Sequence, residues 1–232
     1  MHYYSITYND KNSWEMKIPV KWRPNIPAPE LDQDLIEIPG RDGALVSTVK
    51  RYLPITLEVE MNFMEPEERW GEAFRKAKNW IKGSGRLEQS DDPEYFFKVI
   101  RAQIKDSERT SKRIGGFTAE FVCDPYQYRK DGTRVFDIDS CLNNLYDVCH
   151  PIYIITGSGS ATLTVNGKSM TITVASKAYI DTDLMIAYND QGESLNTSAV
   201  GSYEDLYLQE GANTIAISSG FTLQIIPNWR ML

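Results

Sequence analysis

Between Ile55 and Phe63 apolar and polar residues alternate without a break: Ile55, Leu57, Val59, Met61 and Phe63 on one parity, Thr56, Glu58, Glu60 and Asn62 on the other. Successive side chains of an extended strand point to opposite faces, so this run specifies a strand with one buried and one solvated side. The period then changes. Glu65-Pro66-Glu67-Glu68 places proline at an early helical position and acids at the positive end of the helix dipole. Trp70, Ala73, Phe74, Ala77, Trp80 and Ile81 recur at helical spacing as one apolar stripe, with Lys76, Lys78 and Lys82 toward the negative end. Gly83-Ser84-Gly85 stops the run, so a helix is expected over 66–82.

Two further strands are expected, Tyr95 to Ile104 and Phe117 to Cys123, with the polar stretch Lys105–Arg113 as their hairpin connection. Asp124-Pro125-Tyr126 ends the second, because proline cannot continue a central strand. Residues 23–50 read differently: Pro24, Pro27, Pro29 and Pro39, with Gly40 and Gly43, deny the stretch a helix or an interior strand. A long extended arm or hairpin in a compact domain is usually functional or reaches another chain.

After residue 150 every signal is β. Thr162–Val165 and Met170–Val174 flank Asn166-Gly167, the dipeptide of a type I′ hairpin turn. Short strands follow near Ala178–Asp181, Leu184–Tyr188, Glu204–Leu208, Asn213–Ile217 and Phe221–Ile226, punctuated by Gly192, Gly201, Gly211 and Gly220. That pattern indicates a β-sandwich or jelly roll.

Charge separates the two parts. Residues 1–130 hold 21 Lys/Arg and 21 Asp/Glu, whereas 131–232 hold 4 against 11, so the formal charge of -7 sits entirely in the second part. The shift places a domain boundary near 130–150, so domains of about 1–140 and 141–232 are expected. It also argues against stable nucleic-acid binding, which needs clustered cations. Apolar runs such as Ile152–Ile155 are strand-sized and too short to span a bilayer, and Met1-His-Tyr-Tyr-Ser does not read as a signal peptide. Three cysteines, Cys123, Cys141 and Cys149, are an odd number with no disulfide-framework spacing, which suits a reducing cytosol at the time of synthesis.

Catalytic chemistry finds little footing. Cys141, Cys149 and His150, with Cys123 and Asp147, offer metal-binding atoms, but no Cys-x-x-Cys pair exists and the chain has 2 histidines. Glu58 and Glu60 share a strand side, as polar residues of any solvated face do, and Asp181 and Asp183 flank Thr182 at a strand end suited to a turn. No nucleophile elbow or complete P-loop occurs; Asn166-Gly-Lys-Ser169 is a hairpin tip. No cofactor is implied. Tyr179, Tyr188, Tyr203, Tyr207 and Trp229 lie in the acidic β part, where rings serve either as core or as stacking surfaces for sugars.

In their order along the chain these pieces resemble the distal tail proteins of long-tailed, non-contractile bacteriophages. The segment Ile38-Pro39-Gly40-Arg41-Asp42-Gly43 lies where that family carries a Pro-Gly-x-x-Gly loop, residues 55–81 match its strand-then-helix unit, and Phe121-Val-Cys-Asp-Pro-Tyr126 matches the end of its first domain. Pro151-Ile-Tyr-Ile, Val165-Asn-Gly167, Tyr179-Ile-Asp181 and Gly211-Ala-Asn-Thr-Ile215 look like its C-terminal pattern.

The resemblance implies a mainly β chain: an α+β N-terminal β-sandwich with one helix, related to the tail-tube fold, followed by a galectin-like sandwich. It implies a non-enzymatic structural protein of the virion tail tip, assembled in the host cytoplasm as a homo-hexameric ring. Its partners would be the tail-tube protein, a tail-associated hub protein and receptor-binding or baseplate proteins, with DNA only in transit and no membrane. The arm at 23–50 would pack on a neighbour, and Arg41 and Asp42 suit a charge-paired ring contact. The competing expectation is a monomeric carbohydrate-binding adhesion module acting on host glycans. The chain lacks the long second-domain insertion of larger relatives, which favours an adaptor over a direct host binder.

Overall fold

The computed structural model describes residues 3–138 and 140–232, with the backbone alone at 35 and 48–50; Met1, His2 and Asp139 lie outside the described residues. The chain divides into two compact units after Gln127.

The first unit contains β1 (Ile6–Tyr8), β2 (Lys11–Asn12), β3 (Leu31–Glu37), β4 (Ala44–Tyr52), β5 (Ile55–Met64), α1 (Trp70–Trp80), β6 (Gly83–Gln89), β7 (Asp92–Glu108) and β8 (Ile114–Arg129). A short 3-10 turn, Glu67–Arg69, leads into α1. In the main sheet β8, β7, β6, β1 and β2 are hydrogen-bonded in that order, and β5 pairs antiparallel with β8 from Ile55↔Cys123 to Met64↔Ile114. The alternation in β5 does what its period demands: Leu57, Val59 and Met61 are fully buried while Thr56, Glu58 and Glu60 are exposed. The apolar face packs on α1, whose Ala77 and Trp80, followed by Ile81, enter the same core as Phe117, Ala119 and Phe121. Trp70, Ala73 and Phe74 line its edge, and Phe63, Trp70, Phe74 and Phe117 form one aromatic cluster with centroids 5.4–6.5 Å apart.

Two expectations need correction here. The connection between β7 and β8 is only residues 109–113, since β7 continues to Glu108. Asp124-Pro125-Tyr126 does not end β8, which runs on to Arg129. The ladder with β5 closes at Ile55↔Cys123, so Pro125 lies beyond it and its missing N–H leaves no bond of that ladder unmade.

The second unit contains β9 (Phe136–Asp137), β10 (Cys141–Asn144), β11 (Ile152–Thr156), β12 (Gly159–Val165), β13 (Lys168–Val174), β14 (Lys177–Asp181), β15 (Ile186–Asn189), β16 (Gly211–Ile217) and β17 (Thr222–Ile226). They form two sheets, ordered β10-β16-β12-β13 and β15-β14-β11-β17-β9. Leu163, Val165, Met170 and Ile172 from one sheet share a core with Tyr153, Ile155, Ile180 and Ile225 from the other, which makes this unit a β-sandwich. Asn166 (φ 51°) and Gly167 (φ 79°) turn the β12–β13 hairpin with the two positive φ angles of a type I′ turn.

The unit begins at Tyr128, just before the 130–150 window expected from charge, because β9 pairs with β17 and Gly132 packs against Trp229. The strand expected over Glu204–Leu208 is instead a 3-10 turn at Glu204–Leu206, with Leu208 bridging Cys149. Leu206 and Leu208 are both fully buried, so a period of two was real but does not distinguish a strand from this turn.

Candidate functional site

The first unit carries a hairpin that has no third strand among the described residues. β3 and β4 form a two-stranded sheet in which Ile36 faces Leu45 and Glu37 faces Ala44. Ile36, Leu45 and Val46 are 49%, 40% and 54% exposed, and Ile38 at the tip is 40% exposed. An isolated two-stranded hairpin is marginal in water, and apolar side chains along one call for a covering surface.

Its tip is the Pro-Gly segment. The Arg41 N–H donates to the Ile38 carbonyl (3.1 Å) across Pro39-Gly40, with Gly40 at φ 82°, which is a type II turn with proline and glycine at their required places. Gly43 also has a positive φ, and all six residues Ile38–Gly43 are exposed. Arg41 and Asp42 therefore stand in solvent at the extremity of the arm. The root is anchored: Arg51 bridges to Asp32 at 2.6 Å, the Leu53 N–H donates to the Glu30 carbonyl at 2.7 Å, and Arg23 pairs with Asp91 at 2.7 Å while lying over the Tyr4 ring.

Beside the root, residues Trp22–Pro27 border a groove of ≈ 490 Å³ over the solvated face of β5, lined there by Thr56, Glu58 and Glu60. The two glutamates engage cations rather than a shared proton: Glu58 meets Lys105 at 2.8 Å and Glu60 meets Lys21 at 3.6 Å. The Glu58 hydrogen bond holds the Lys105 ammonium above the ordinary lysine range. A second groove of ≈ 620 Å³ lies at the other end of β5, between Trp14, Pro19, Phe63, Met64 and Ile114. Tyr3 stacks on Trp14 with centroids 5.1 Å apart, extending the apolar surface. Sequence reasoning missed this groove. Its only local signal was Met64, an apolar residue on the polar parity of β5.

In the second unit the candidate rings are occupied by protein. Tyr179 and Tyr188 are cross-strand partners whose rings stack on each other at 5.1 Å, and Lys177 lies 5.3 Å from the Tyr179 centroid. Tyr207 stacks on His150 at 4.0 Å. That imidazole accepts from Arg230 at Nε2 (2.9 Å) and donates from Nδ1 to Asp183 (3.1 Å), while Arg230 Nε donates to the Val148 carbonyl. Tyr203 packs against the core and its hydroxyl bonds Asn196 Oδ1 at 2.9 Å. Burial pushes the Tyr188, Tyr203 and Tyr207 hydroxyls up from the ordinary phenol range. Trp229, 9% exposed, belongs to the core and offers no face to a ligand. Asp181 is buried and accepts from the Asp183 and Leu184 N–H groups, so it shapes a turn. Cys123 lies in the first core and Cys149 in the second; burial pushes their thiols up to about 12 and about 11, against the thiolate that a metal requires. No helix among the described residues is long and apolar enough to cross a membrane.

No protein-family model matches the chain, and no curated protein matches its sequence. The fold does have a solved counterpart. The crystal structure of SPP1 Dit (gp 19.1), described as a paradigm of the hub adsorption apparatus in phages infecting Gram-positive bacteria, is similar over 100% of both chains, with a TM-score of 0.75 and 14% identity. At that identity the likeness is one of fold, and it spans both units and the whole length.

Proposed function

We propose that this chain is a structural hub protein of a bacteriophage or prophage tail tip. Six copies form a ring that joins the tail tube to a tail-associated hub protein and to receptor-binding or baseplate proteins, with a central channel for DNA. The observation that carries this reading is the unpartnered arm, whose exposed Ile36, Ile38, Leu45 and Val46 leave a monomer with apolar surface to cover. The full-length likeness in fold to SPP1 Dit supports it. A ring uses one heterologous contact repeated until it closes, which suits a projecting element on one side of each copy. The second unit, with 4 Lys/Arg against 11 Asp/Glu in residues 131–232, is then an adaptor surface, and net acidity keeps transiting DNA from adhering. Assembly takes place in the bacterial cytoplasm, and the product resides at the virion tail tip.

The glycan-binding alternative finds less support, because Tyr179, Tyr188 and Tyr207 spend ring faces on each other and on His150, and Trp229 is core. Light scattering with negative-stain imaging over a concentration series tests the choice. Hollow six-fold rings are expected; a chain that stays monomeric throughout and binds a glycan array overturns the hub reading.

A further inference from the structure

We propose that Asp42-Gly43, at the tip of the arm, is a site of spontaneous isoaspartate formation, and that the fold blocks the same reaction at the two other places where the sequence invites it. The site stands apart from the hub-ring reading; only its effect on assembly rests on that reading.

An aspartate or asparagine followed by glycine can cyclise, because glycine has no side chain to hinder its nitrogen. The chain holds three such pairs, Asp42-Gly43, Asp131-Gly132 and Asn166-Gly167. In the reaction the glycine nitrogen bonds to the Cγ of the residue before it. Its proton leaves with the carboxyl hydroxyl as water, or with the side-chain amide as ammonia, and a cyclic imide remains. Water then opens the imide. Cleavage of the Cγ–N bond gives an α-linked aspartate; cleavage on the α-carbonyl side gives isoaspartate, whose main chain runs through Cβ and Cγ. No electrons are gained or lost, and the co-reactant is solvent.

The reaction needs a side chain free to swing onto the next nitrogen, room for the adduct, and water. Asn166 lacks the first. Its Oδ1 accepts from the Thr214 N–H at 2.9 Å and its Nδ2 donates to Asn213 Oδ1 at 2.8 Å, so both ends of the amide are held on β16. Asp131-Gly132 lacks the room. Arg129 Nε lies 3.0 Å from Asp131 Oδ1, and Gly132 is buried where an added Cβ would come within 2.5 Å of the Trp229 nitrogen.

Asp42-Gly43 meets every condition. Both residues are exposed, and neither the Asp42 carboxylate nor the Gly43 N–H has a hydrogen-bond or ion-pair partner among the described residues. A Cβ built on Gly43 meets nothing within 4 Å, which leaves space for ring closure and for the attacking water. Isoaspartate at 42 lengthens the main chain between the Pro39-Gly40 turn and β4, whose first residue, Ala44, is paired with Glu37. The added carbon therefore falls beside the apolar pair Ile36–Leu45. Unassembled copies lose the native tip as they age, and with it the ability to join a ring.

Ageing of the full-length protein at physiological temperature tests this, with a parallel incubation in urea. Peptide mapping by electron-transfer fragmentation separates isoaspartate from aspartate at each site. In the folded protein isoaspartate is expected at 42, with modification at 131 and 166 at least about tenfold slower; in urea all three sites react. Asp42→Glu, whose longer side chain must close a larger ring, is expected to abolish the product at that position. Aged wild-type protein is expected to lose assembly in proportion to its isoaspartate content, whereas Asp42→Glu assembles alike before and after ageing. Absence of isoaspartate at 42 in the folded protein, or modification of 131 or 166 as fast folded as in urea, overturns the assignment. A protein that carries isoaspartate at 42 and assembles as readily as fresh protein upholds the site and overturns its effect on assembly. Isoaspartate at 42 in a chain that forms no rings, fresh or aged, upholds the site and overturns the hub reading.

Discussion

Glu58 of β5 stands directly opposite Glu120 of β8, two like charges on neighbouring strands of one solvated face. Opposed like charges destabilise a sheet, and here β7 supplies the compensation. Lys105 reaches Glu58 at 2.8 Å, while Gln103 and Arg101 reach Glu120 at 2.6 Å and 3.6 Å. A pair that in isolation suggests acid–base chemistry is thus part of an ion-pair lattice between three strands.

Replacing Lys105 by methionine is therefore expected to lower the urea midpoint of unfolding, and to do so less as salt is raised. The pH dependence has a definite sign. Glu58 raises the folded-state pKa of Lys105 above its value of 10.5 in the unfolded chain. The stabilisation is fully present below about 10.5 and is lost as pH rises through the folded value. Midpoints for the two proteins, compared from about pH 8 to about pH 12, should converge at the alkaline end; a constant gap would show that Lys105 acts through packing alone.

The thiols give a second expectation. Cys141 is exposed, whereas burial pushes Cys123 to about 12 and Cys149 to about 11. An aromatic disulfide reagent near pH 8 should modify Cys141 rapidly and leave the other two until the chain unfolds. Both thiols are neutral when folded and ionise in the unfolded chain from about 9, so they also withdraw stability as pH rises above that value. Rapid reaction of all three in the native protein would show that both cores open readily, since Cys123 lies in the first and Cys149 in the second.

Two glycines should respond differently to alanine. A Cβ at Gly132 would lie 2.5 Å from the Trp229 backbone nitrogen, so Gly132→Ala is expected to destabilise the second unit by about 1–3 kcal/mol through overpacking. At Gly40 a Cβ meets nothing within 4 Å, but φ is 82°. Gly40→Ala therefore costs about 1–2 kcal/mol in the arm tip alone and should leave the thermal unfolding of both cores unchanged while weakening assembly. Loss of core stability in Gly40→Ala would mean that the arm supports its own subunit.

Much of this was readable along the chain. The alternation Ile55–Phe63, the helical stripe Trp70–Ile81, the Asn166-Gly167 turn and the Pro39-Gly40 tip are local codes, set by side-chain period and by the φ angles that proline, asparagine and glycine permit. What was not readable depended on a neighbour distant in sequence. Pro125 lies past the last β5–β8 pair, Ile55↔Cys123, and Trp229 is core because Gly132 leaves room for it. Tyr179 and Tyr188 face each other only through the β14–β15 register.

The sequence by itself determined a mainly β chain with one helix, a change of character in mid-chain and a proline-punctuated arm, since each follows from the chemistry of adjacent residues. The tertiary structure decided which apolar residues remain uncovered. Met64 differs from Phe63 by one position, yet one is buried in the aromatic cluster and the other lies open beside Ile114 and across from Trp14. Exposure is set by what folds over a side chain, and for Met64 that depends on segments whose closest residues, Trp14 and Ile114, are fifty positions away in either direction.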